Sequence, residues 1–234
     1  MTRARLAILA LAAACTAAAA QAADRREDRP VAGFSAIALA ADLALDVVQD
    51  GTESLTLEGD ERALERLETF VKDGTLEIRY KPGTRGAWAH RVHGTVHARK
   101  VESLGLAASG EIRSPSIAAG TFVVSISGSG KVHIAQLEAK SARLSIGGSG
   151  DIALAGRAGE LSANISGSGD VTAAKLETRR ATVSIAGSGD MTLWAREQLT
   201  ATISGAGTVR YYGDPSVTRS VHGSGEIRRV AAAP

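Results

Sequence analysis

Three aspartates in this 234-residue sequence directly follow short glycine motifs, and carboxylates at such a spacing suggest metal chemistry. Asp151, Asp170 and Asp190 each come after Gly-Ser-Gly, and the stretch GGSGDIAL at 147–154 is similar to the calcium-binding pattern G-G-x-G-x-D. Two differences count against calcium, because the aspartate comes one residue early and the motif recurs at about twice the nonapeptide period. We therefore favour solvated carboxylates and keep these three aspartates as minor candidate metal ligands.

Three histidines in the stretch AHRVHGTVHARK are further candidate metal ligands. In a strand, His93 and His97 share a face and His90 points to the opposite one. A zinc site needs three or four convergent ligands, and the sequence pairs no carboxylate or cysteine with these histidines. We therefore predict a polar strand face here.

Catalytic signatures are weak throughout the chain. The SGSG motifs are not a serine nucleophile elbow, which lies between a strand and a helix. Asp151, Asp170 and Asp190 could imitate the acidic cluster of β-helical carbohydrate-active enzymes, but no acid–base partner accompanies them. The sequence therefore predicts no catalytic residue and no cofactor.

The glycine pairs recur with a nearly constant period. They start at residues 128, 148, 167, 187, 205 and 223, with a weaker copy, ASGEI, at 108, so that successive starts differ by 18 to 20 residues. Such a period indicates a repeat architecture, whereas a phosphate-binding loop occurs once, between a strand and a helix. Because glycine accepts a positive φ and has no Cβ to clash, we predict that these residues form structural corners. The predicted corner glycines are Gly128, Gly130, Gly148, Gly150, Gly167, Gly169, Gly187, Gly189, Gly205, Gly207, Gly223 and Gly225.

Apolar residues occupy the same positions in successive repeats and alternate with polar ones. This period of two predicts strands, and the constant register predicts that each strand stacks on its counterpart in the next repeat, as in a parallel β-helix. An antiparallel sandwich would not keep the same residue type at every eighteenth to twentieth position. The three columns are Ile126, Ile146, Ile165, Ile185, Ile203, Val221; Val132, Ile152, Val171, Met191, Val209, Ile227; and Ile134, Leu154, Ala173, Leu193, Tyr211.

The N-terminus has the pattern of a secretory signal. A basic start precedes the apolar stretch 6–14, and Ala20-Gln21-Ala22 is a cleavage signal, so we predict a signal peptide at 1–23. The single cysteine, Cys15, lies inside this segment and offers a second possibility, in which a lipid anchors the chain. The protein is thus predicted to be exported, to the periplasm or the cell surface, and not to be transmembrane.

The remaining chain divides into three predicted parts. Residues 24–33 are highly charged and are predicted to form a mobile linker. Residues 34–86 are predicted to form strands and one short helix within 60–70, where Leu64, Leu67 and Val71 have helical spacing and Asp60 is a cap, and this part would cap a solenoid. Residues 87–230 are predicted to form the β-helix repeats.

Composition narrows the range of partners. The formal net charge of +2 argues against nucleic acid as the main partner. Polar residues at one repeat position predict a ladder that could contact a polymer if it faces outward. Its members are Ser125, Ser145, Asn164, Ser184, Thr202 and Ser220.

The chain also resembles a known family of secreted bacterial proteins, the putative autotransporter adhesin, head GIN domain family. The resemblance is carried by FSAIALAADLALDVVQDG, by DERALERLETFVKDGTLEIRY and by the repeated S-I-x-G-S-G-D corners, and it runs from about Phe34 to Ile227. It implies a right-handed parallel β-helix outside the cytoplasm and supplies no catalytic residues.

Together these observations predict a non-enzymatic, exported β-solenoid that acts as an adhesin-like binding or scaffolding protein of the cell envelope. Its partner would be an envelope polymer or protein. Self-association into a homo-oligomer is a second hypothesis, although Arg219, Arg228 and Arg229 would discourage pairing at the C-terminal end. A carbohydrate-active β-helix enzyme and a calcium-stabilised repeat protein are the third and fourth hypotheses.

Overall fold

Parallel strands, stacked one coil on the next, make up most of the chain in the computed structural model, which describes residues 24–84 and 92–230. Strands account for 72% and form a β-solenoid of about six turns, which confirms the predicted all-β parallel β-helix. The elements are β1 Asp24–Arg29, β2 Ala36–Ala40, β3 Ala44–Gln49, β4 Ser54–Asp60, α1 Glu61–Leu64, β5 Leu67–Lys72, β6 Thr75–Tyr80, β7 His93–Ala98, β8 Ser103–Leu106, β9 Glu111–Ser114, β10 Ile117–Ile126, β11 Lys131–Ile146, β12 Asp151–Gly167, β13 Val171–Gly187, β14 Asp190–Gly205, β15 Thr208–Tyr212, β16 Ser216–Gly223 and β17 Glu226–Arg229.

Buried side chains show where each coil bends. In β11, Val132 and Ile134 are buried and alternate with exposed neighbours, but the next buried residues are Leu137 and Ala142. A straight strand keeps a period of two, so the irregular spacings mark two corners. The Gly-Ser-Gly motif makes the third corner, and each coil consequently has three straight segments.

Equivalent residues in successive coils lie side by side. Ile146 pairs with Ile126 and Ile165, and Ile185 pairs with Ile165 and Ile203. All five are at most 2% exposed, so the predicted column is a continuous ladder of core side chains as far as Ile203, whereas its last predicted member, Val221 in the terminal strand β16, is 40% exposed. Burial of an aliphatic side chain of this size contributes about 1.5–3 kcal/mol, which makes the ladders the main source of stability.

The glycine corners stack as closely as the strands do. A Cβ on Gly189 would lie 2.3 Å from the carbonyl oxygen of Gly169 in the preceding coil and 2.8 Å from Cγ2 of Ile165. Gly187, the first glycine of the same corner, has a φ of +141°, and its Cβ would lie 2.2 Å from the Gly167 oxygen. The first glycine thus has both a restricted backbone and a restricted space, whereas the second is restricted by space alone.

The N-terminal strands are interleaved with later ones. β2 lies between β6 and β8, and β3 lies between β7 and β9. The chain therefore completes one coil with β2 and β3, adds β6 and β7 on its outer side, and then returns to the other side with β8 and β9. Residues 34–84 contribute a coil inside the stack as well as strands at its end.

Antiparallel strands complete the N-terminal end, and here the structure differs from two predictions. The segment predicted as a mobile linker includes β1, which pairs antiparallel with β4 and makes cross-strand ion pairs such as Arg26 with Glu58. The predicted helix is only the four residues of α1, capped by Asp60. Thr69-Phe70-Val71 favours a strand, and the Asp73-Gly74 turn pairs β5 with β6 instead.

Charged side chains occupy core positions at both ends of the stack. At the C-terminal end, Arg219 is in register with the buried Ala201, and Arg229 with Tyr211. At the N-terminal end, Glu27 and Arg29 are in register with the buried residues of β4 and form an ion pair with each other. Charged side chains therefore occupy some of the core positions of β1, β16 and β17, while Val217 and Ile227 continue two of the ladders to the C-terminal end.

Several predicted features fall on residues outside the described ranges. The signal segment 1–23 with Cys15, the boundary between residues 86 and 87, and His90 belong to this group.

Candidate functional site

One long side of the solenoid presents a regular array of small polar side chains, which we call the hydroxyl face. Adjacent strands are about 4.8 Å apart, and outward side chains along a strand are about 6.6 Å apart, so these side chains form a two-dimensional lattice. The hydroxyl face comprises the outward residues Val123, Ser125, Ser127, Arg143, Ser145, Gly147, Ser162, Asn164, Ser166, Thr182, Ser184, Ala186, Thr200, Thr202, Ser204, Thr218, Ser220 and His222.

The polar column predicted from the sequence lies in the middle of this face and points outward. Ser145, Asn164, Ser184 and Thr202 are in register in consecutive coils, between buried residues of the core ladders. Ser184 and Thr202 make no side-chain hydrogen bond with any described residue, so their hydroxyl groups are free to donate and accept. A hydroxyl supplies one donor and two acceptor positions, which suits a partner with both kinds of group.

A second long side carries ionisable residues from every repeated coil, and we call it the charged face. Its strands share one register, so carboxylates, guanidinium groups and amines form columns that run across the coils. The charged face comprises Glu111, Arg113, Lys131, His133, Asp151, Ala153, Asp170, Thr172, Asp190, Thr192, Thr208, Arg210, Glu226 and Arg228.

The three candidate aspartates lie on the charged face, and each has a partner in an adjacent coil. Asp151 pairs with Lys131 at 3.1 Å. Asp170 accepts a hydrogen bond from the backbone N–H of Asp190 at 2.9 Å. Asp190 in turn accepts one from the N–H of Thr208 and pairs with Arg210 at 3.0 Å. These contacts occupy carboxylate oxygens, and the described part of the chain contains no cluster of three or more His, Cys, Asp or Glu side chains that could hold a metal ion.

Two of the predicted histidines pair with aspartates that the sequence did not associate with them. His93 lies 3.2 Å from Asp46, and Nδ1 of His97 lies 2.6 Å from Asp50. The N–H of Thr52 and then the ring of His97 lower the pKa of the Asp50 carboxyl from 3.8 to about 2. β7 and β3 are neighbours only because the chain returns on itself, so no local pattern reveals these pairs.

A shallow depression of about 400 Å³ lies at the margin of the hydroxyl face, where four strands turn toward the shortest side of the coil. Its floor is polar, with Ser162, Thr182 and Thr200 among the lining residues. Arg143 lines one side, and Arg180 forms an ion pair with Glu160 at 2.5 Å on the other. The sequence pattern did not single out these charged residues.

A family model for "putative auto-transporter adhesin, head GIN domain" matches residues 33–215 of this chain. The chain belongs to this family. The match covers the interleaved N-terminal coils as well as the glycine-cornered repeats, and it confirms the resemblance found in the sequence. The family description concerns adhesion and assigns no chemistry to any residue.

Several solved structures share this fold. A putative adhesin from Bacteroides fragilis superposes with a TM-score of 0.85 at 22% identity, covering 90% of this chain and 98% of that one. A putative lipid binding protein from Parabacteroides distasonis has a TM-score of 0.71 at 23% identity, with 89% and 97% covered. A putative adhesin from Parabacteroides merdae has a TM-score of 0.70 at 20% identity, with 89% and 96% covered. At these identities the likeness shows the fold alone.

None of the curated proteins matches the sequence significantly. Within the described ranges, no helix is both long enough and apolar enough to cross a membrane.

Proposed function

We propose that this head GIN domain protein is a non-enzymatic, exported binding or scaffolding protein of the cell envelope, which uses the hydroxyl face to contact an envelope polymer or protein. The observation that carries the proposal is the lattice itself. Hydroxyl groups such as those of Ser184 and Thr202 repeat in register, point outward and have no partners among the described residues. Many weak hydrogen bonds at a fixed spacing give avidity to an extended partner even when each contact is weak.

The adhesin description of the family supports the same function. Export to the periplasm or the cell surface is part of the proposal and rests on the predicted signal segment. A carbohydrate-active enzyme would depend on Asp151, Asp170 and Asp190, whose carboxylate oxygens instead contact Lys131, backbone N–H groups and Arg210.

Matched threonine-to-valine variants test the proposal, because this change removes a hydroxyl group and keeps the side-chain shape. The double variant Thr202→Val/Thr218→Val alters the hydroxyl face, and Thr172→Val/Thr192→Val makes the same change on the charged face. Both pairs point outward from strands. The measurement is co-sedimentation of the full chain with purified cell-wall and outer-membrane fractions.

We expect the hydroxyl-face variant to bind severalfold more weakly and the charged-face variant to bind as the unmodified chain does, since each lost hydrogen bond contributes about 0.5–1.5 kcal/mol. Equal binding by the two variants would remove the hydroxyl face from the proposal. If the unmodified chain binds to none of the fractions, the proposed binding function is wrong.

A further inference from the structure

The depression at the margin of the hydroxyl face, which we call the arginine depression, combines hydroxyl groups with an excess of positive charge. Four strands contribute to it in a strict register. Ser141, Glu160, Arg180 and Gln198 form one row across the coils, and Arg143 begins the parallel row that continues with the floor hydroxyls. All these side chains are within two strand spacings of Glu160.

Three guanidinium groups surround a single carboxylate in this region. Arg180 hydrogen-bonds Glu160 and lowers the pKa of its carboxyl below the usual value, and Arg179 and Arg143 lower it further through their charges. Glu197 is the other acid near Arg180. In the described ranges, Arg143 and Arg179 form no salt bridge of their own, so positive charge remains in excess.

One of these arginines lies close to the preceding coil. Gly159 has no side chain, and a Cβ built on it would lie 3.7 Å from Nη2 of Arg179. Nη2 of Arg179 therefore lies near Gly159, the residue before Glu160, beside the residues that line the depression. Arg143 approaches from the preceding coil, which places two incompletely neutralised guanidinium groups on either side of one ion pair.

We propose that the arginine depression binds the acidic groups of a polysaccharide, that is, a sugar chain carrying carboxylate or phosphate. The proposal deepens the function proposed above and rests on it. Guanidinium groups bind oxyanions through paired N–H donors. The neighbouring hydroxyls of Ser162, Thr182 and Thr200 match the hydroxyl groups of sugars, and the lattice beyond them extends the contact along the chain.

Other anionic partners fit this region less well. An acyl chain needs an apolar lining, but the leucine and alanine side chains beneath the depression point into the core. A single-stranded nucleic acid would need aromatic side chains on which its bases stack, and none lines the depression. An acidic sugar chain requires only the charges and hydroxyl groups that are present.

The test measures binding of the full chain to four immobilised polymers by surface plasmon resonance. Polygalacturonate supplies carboxylates, and its fully methyl-esterified form is the neutral match. Phosphomannan supplies phosphates, and unmodified mannan is its neutral match. Vesicles of phosphatidylglycerol supply phosphate on a lipid.

Two variants change the charge of the site in opposite directions, and a third is a control on the charged face. Arg143→Gln/Arg179→Gln removes the two arginines that lack salt bridges, and Lys131→Gln/Arg228→Gln removes two positive charges from the charged face as a matched control. Glu160→Gln removes the competing carboxylate and releases Arg180. We expect at least one acidic polymer to bind more tightly than its neutral match, with affinity about tenfold weaker in the first variant and stronger in Glu160→Gln.

The outcomes separate the two proposals. The arginine depression is not the binding site if Arg143→Gln/Arg179→Gln binds as the control variant does, or if the chain binds only to the lipid vesicles. If the neutral polymers bind as tightly as the acidic ones and Thr202→Val/Thr218→Val weakens them, the hydroxyl face functions without the arginines. If no polymer and no envelope fraction binds, the function proposed above also fails.

Discussion

Substitution of Gly189 by alanine is the most direct test of how the corners are built. The added Cβ would lie 2.3 Å from the Gly169 carbonyl oxygen, whereas an ordinary contact needs about 3.4 Å. The two coils must therefore separate locally by about 1 Å from a strand spacing of about 4.8 Å. Such a shift stretches neighbouring ladder hydrogen bonds, for example Ser188 N–H to Gly167 O at 2.9 Å, beyond hydrogen-bonding distance.

The size of the effect follows from these contacts. Two or three weakened backbone hydrogen bonds cost about 0.5–1.5 kcal/mol each, and forcing a methyl group against Cγ2 of Ile165 costs about 1–3 kcal/mol. We expect Gly189→Ala to lower the free energy of unfolding by about 3 kcal/mol. This is a large fraction of the roughly 5–15 kcal/mol that is typical of a folded domain.

Gly147→Ala is the matched control within the same type of corner. A Cβ there would meet only the Ile126 oxygen at 3.8 Å, and the next two coils have Ser166 and Ala186 at the equivalent position. The two variants share the same loss of unfolded-state entropy, which by itself stabilises a protein by about 0.4–1 kcal/mol. The difference between their free energies of unfolding therefore measures the effect of the limited space between coils.

The assay is equilibrium unfolding in urea, followed by far-ultraviolet circular dichroism. We expect Gly147→Ala to be as stable as the unmodified chain or slightly more stable, and Gly189→Ala to unfold at a much lower urea concentration. If the two variants differ by less than about 1 kcal/mol, the coils adjust to a methyl group and the spatial explanation for the second glycine is wrong.

Three further predictions concern the ends of the stack and the charged face. Arg219→Val continues a core ladder to the terminal strand, so light scattering should detect concentration-dependent association that the outward-facing control Arg228→Val lacks; a monomeric Arg219→Val would contradict this. The pKa of Asp50 is lowered to about 2, so its ionised form stabilises the fold above its ordinary value of 3.8, and this contribution disappears as the pH falls from 3.8 to 2. Urea midpoints between about pH 5 and pH 2 should therefore fall less in Asp50→Asn than in the unmodified chain, and equal losses would show that the Thr52 and His97 contacts do not stabilise the fold. Calcium should leave the melting temperature unchanged relative to chelator, because carboxylate oxygens of Asp170 and Asp190 already accept backbone N–H groups; a rise of several degrees would make the aspartates calcium ligands.

The repeated coils could be predicted from the sequence because their information is periodic. Each member of the Ile126–Ile203 column recurs after 18 to 20 residues and follows a small polar residue, so alternation indicated the strands and periodicity indicated their stacking. The same periodicity predicted a polar column that contains Ser184 and could face outward. In the structure this column does face outward.

The interleaved strands could not be predicted in this way. β2 pairs with β6 and β8, whose sequences are not copies of it and lie 39 and 67 residues further along the chain, as Ala36 pairs with Thr75 and Ser103. The His93–Asp46 and His97–Asp50 pairs depend on this arrangement. Histidine and aspartate side chains can form ion pairs, but the sequence does not show that these residues lie close together.

The arginine depression was missed for a different reason. Arg179 and Arg180 lie where the coils bend and where the register between β13 and β14 shifts, between Thr178 and Arg180. At such corners the alternation of buried and exposed residues is interrupted, so a pattern based on period two does not place their side chains. Only the three-dimensional structure shows that Arg143 and Glu160 lie beside them.

The charged residues at the two terminal strands also have a consequence for how such a protein changes in length. Glu27 and Arg29 lie at one end, Arg219 and Arg229 lie at the other, and the glycine-cornered coils between them repeat in register. Duplication or loss of a glycine-cornered coil would leave both ends unchanged. The length of the solenoid would change by one step of about 4.8 Å. The hydroxyl face would lengthen or shorten in the same steps, so the number of repeats sets the reach of the surface without any redesign of its ends.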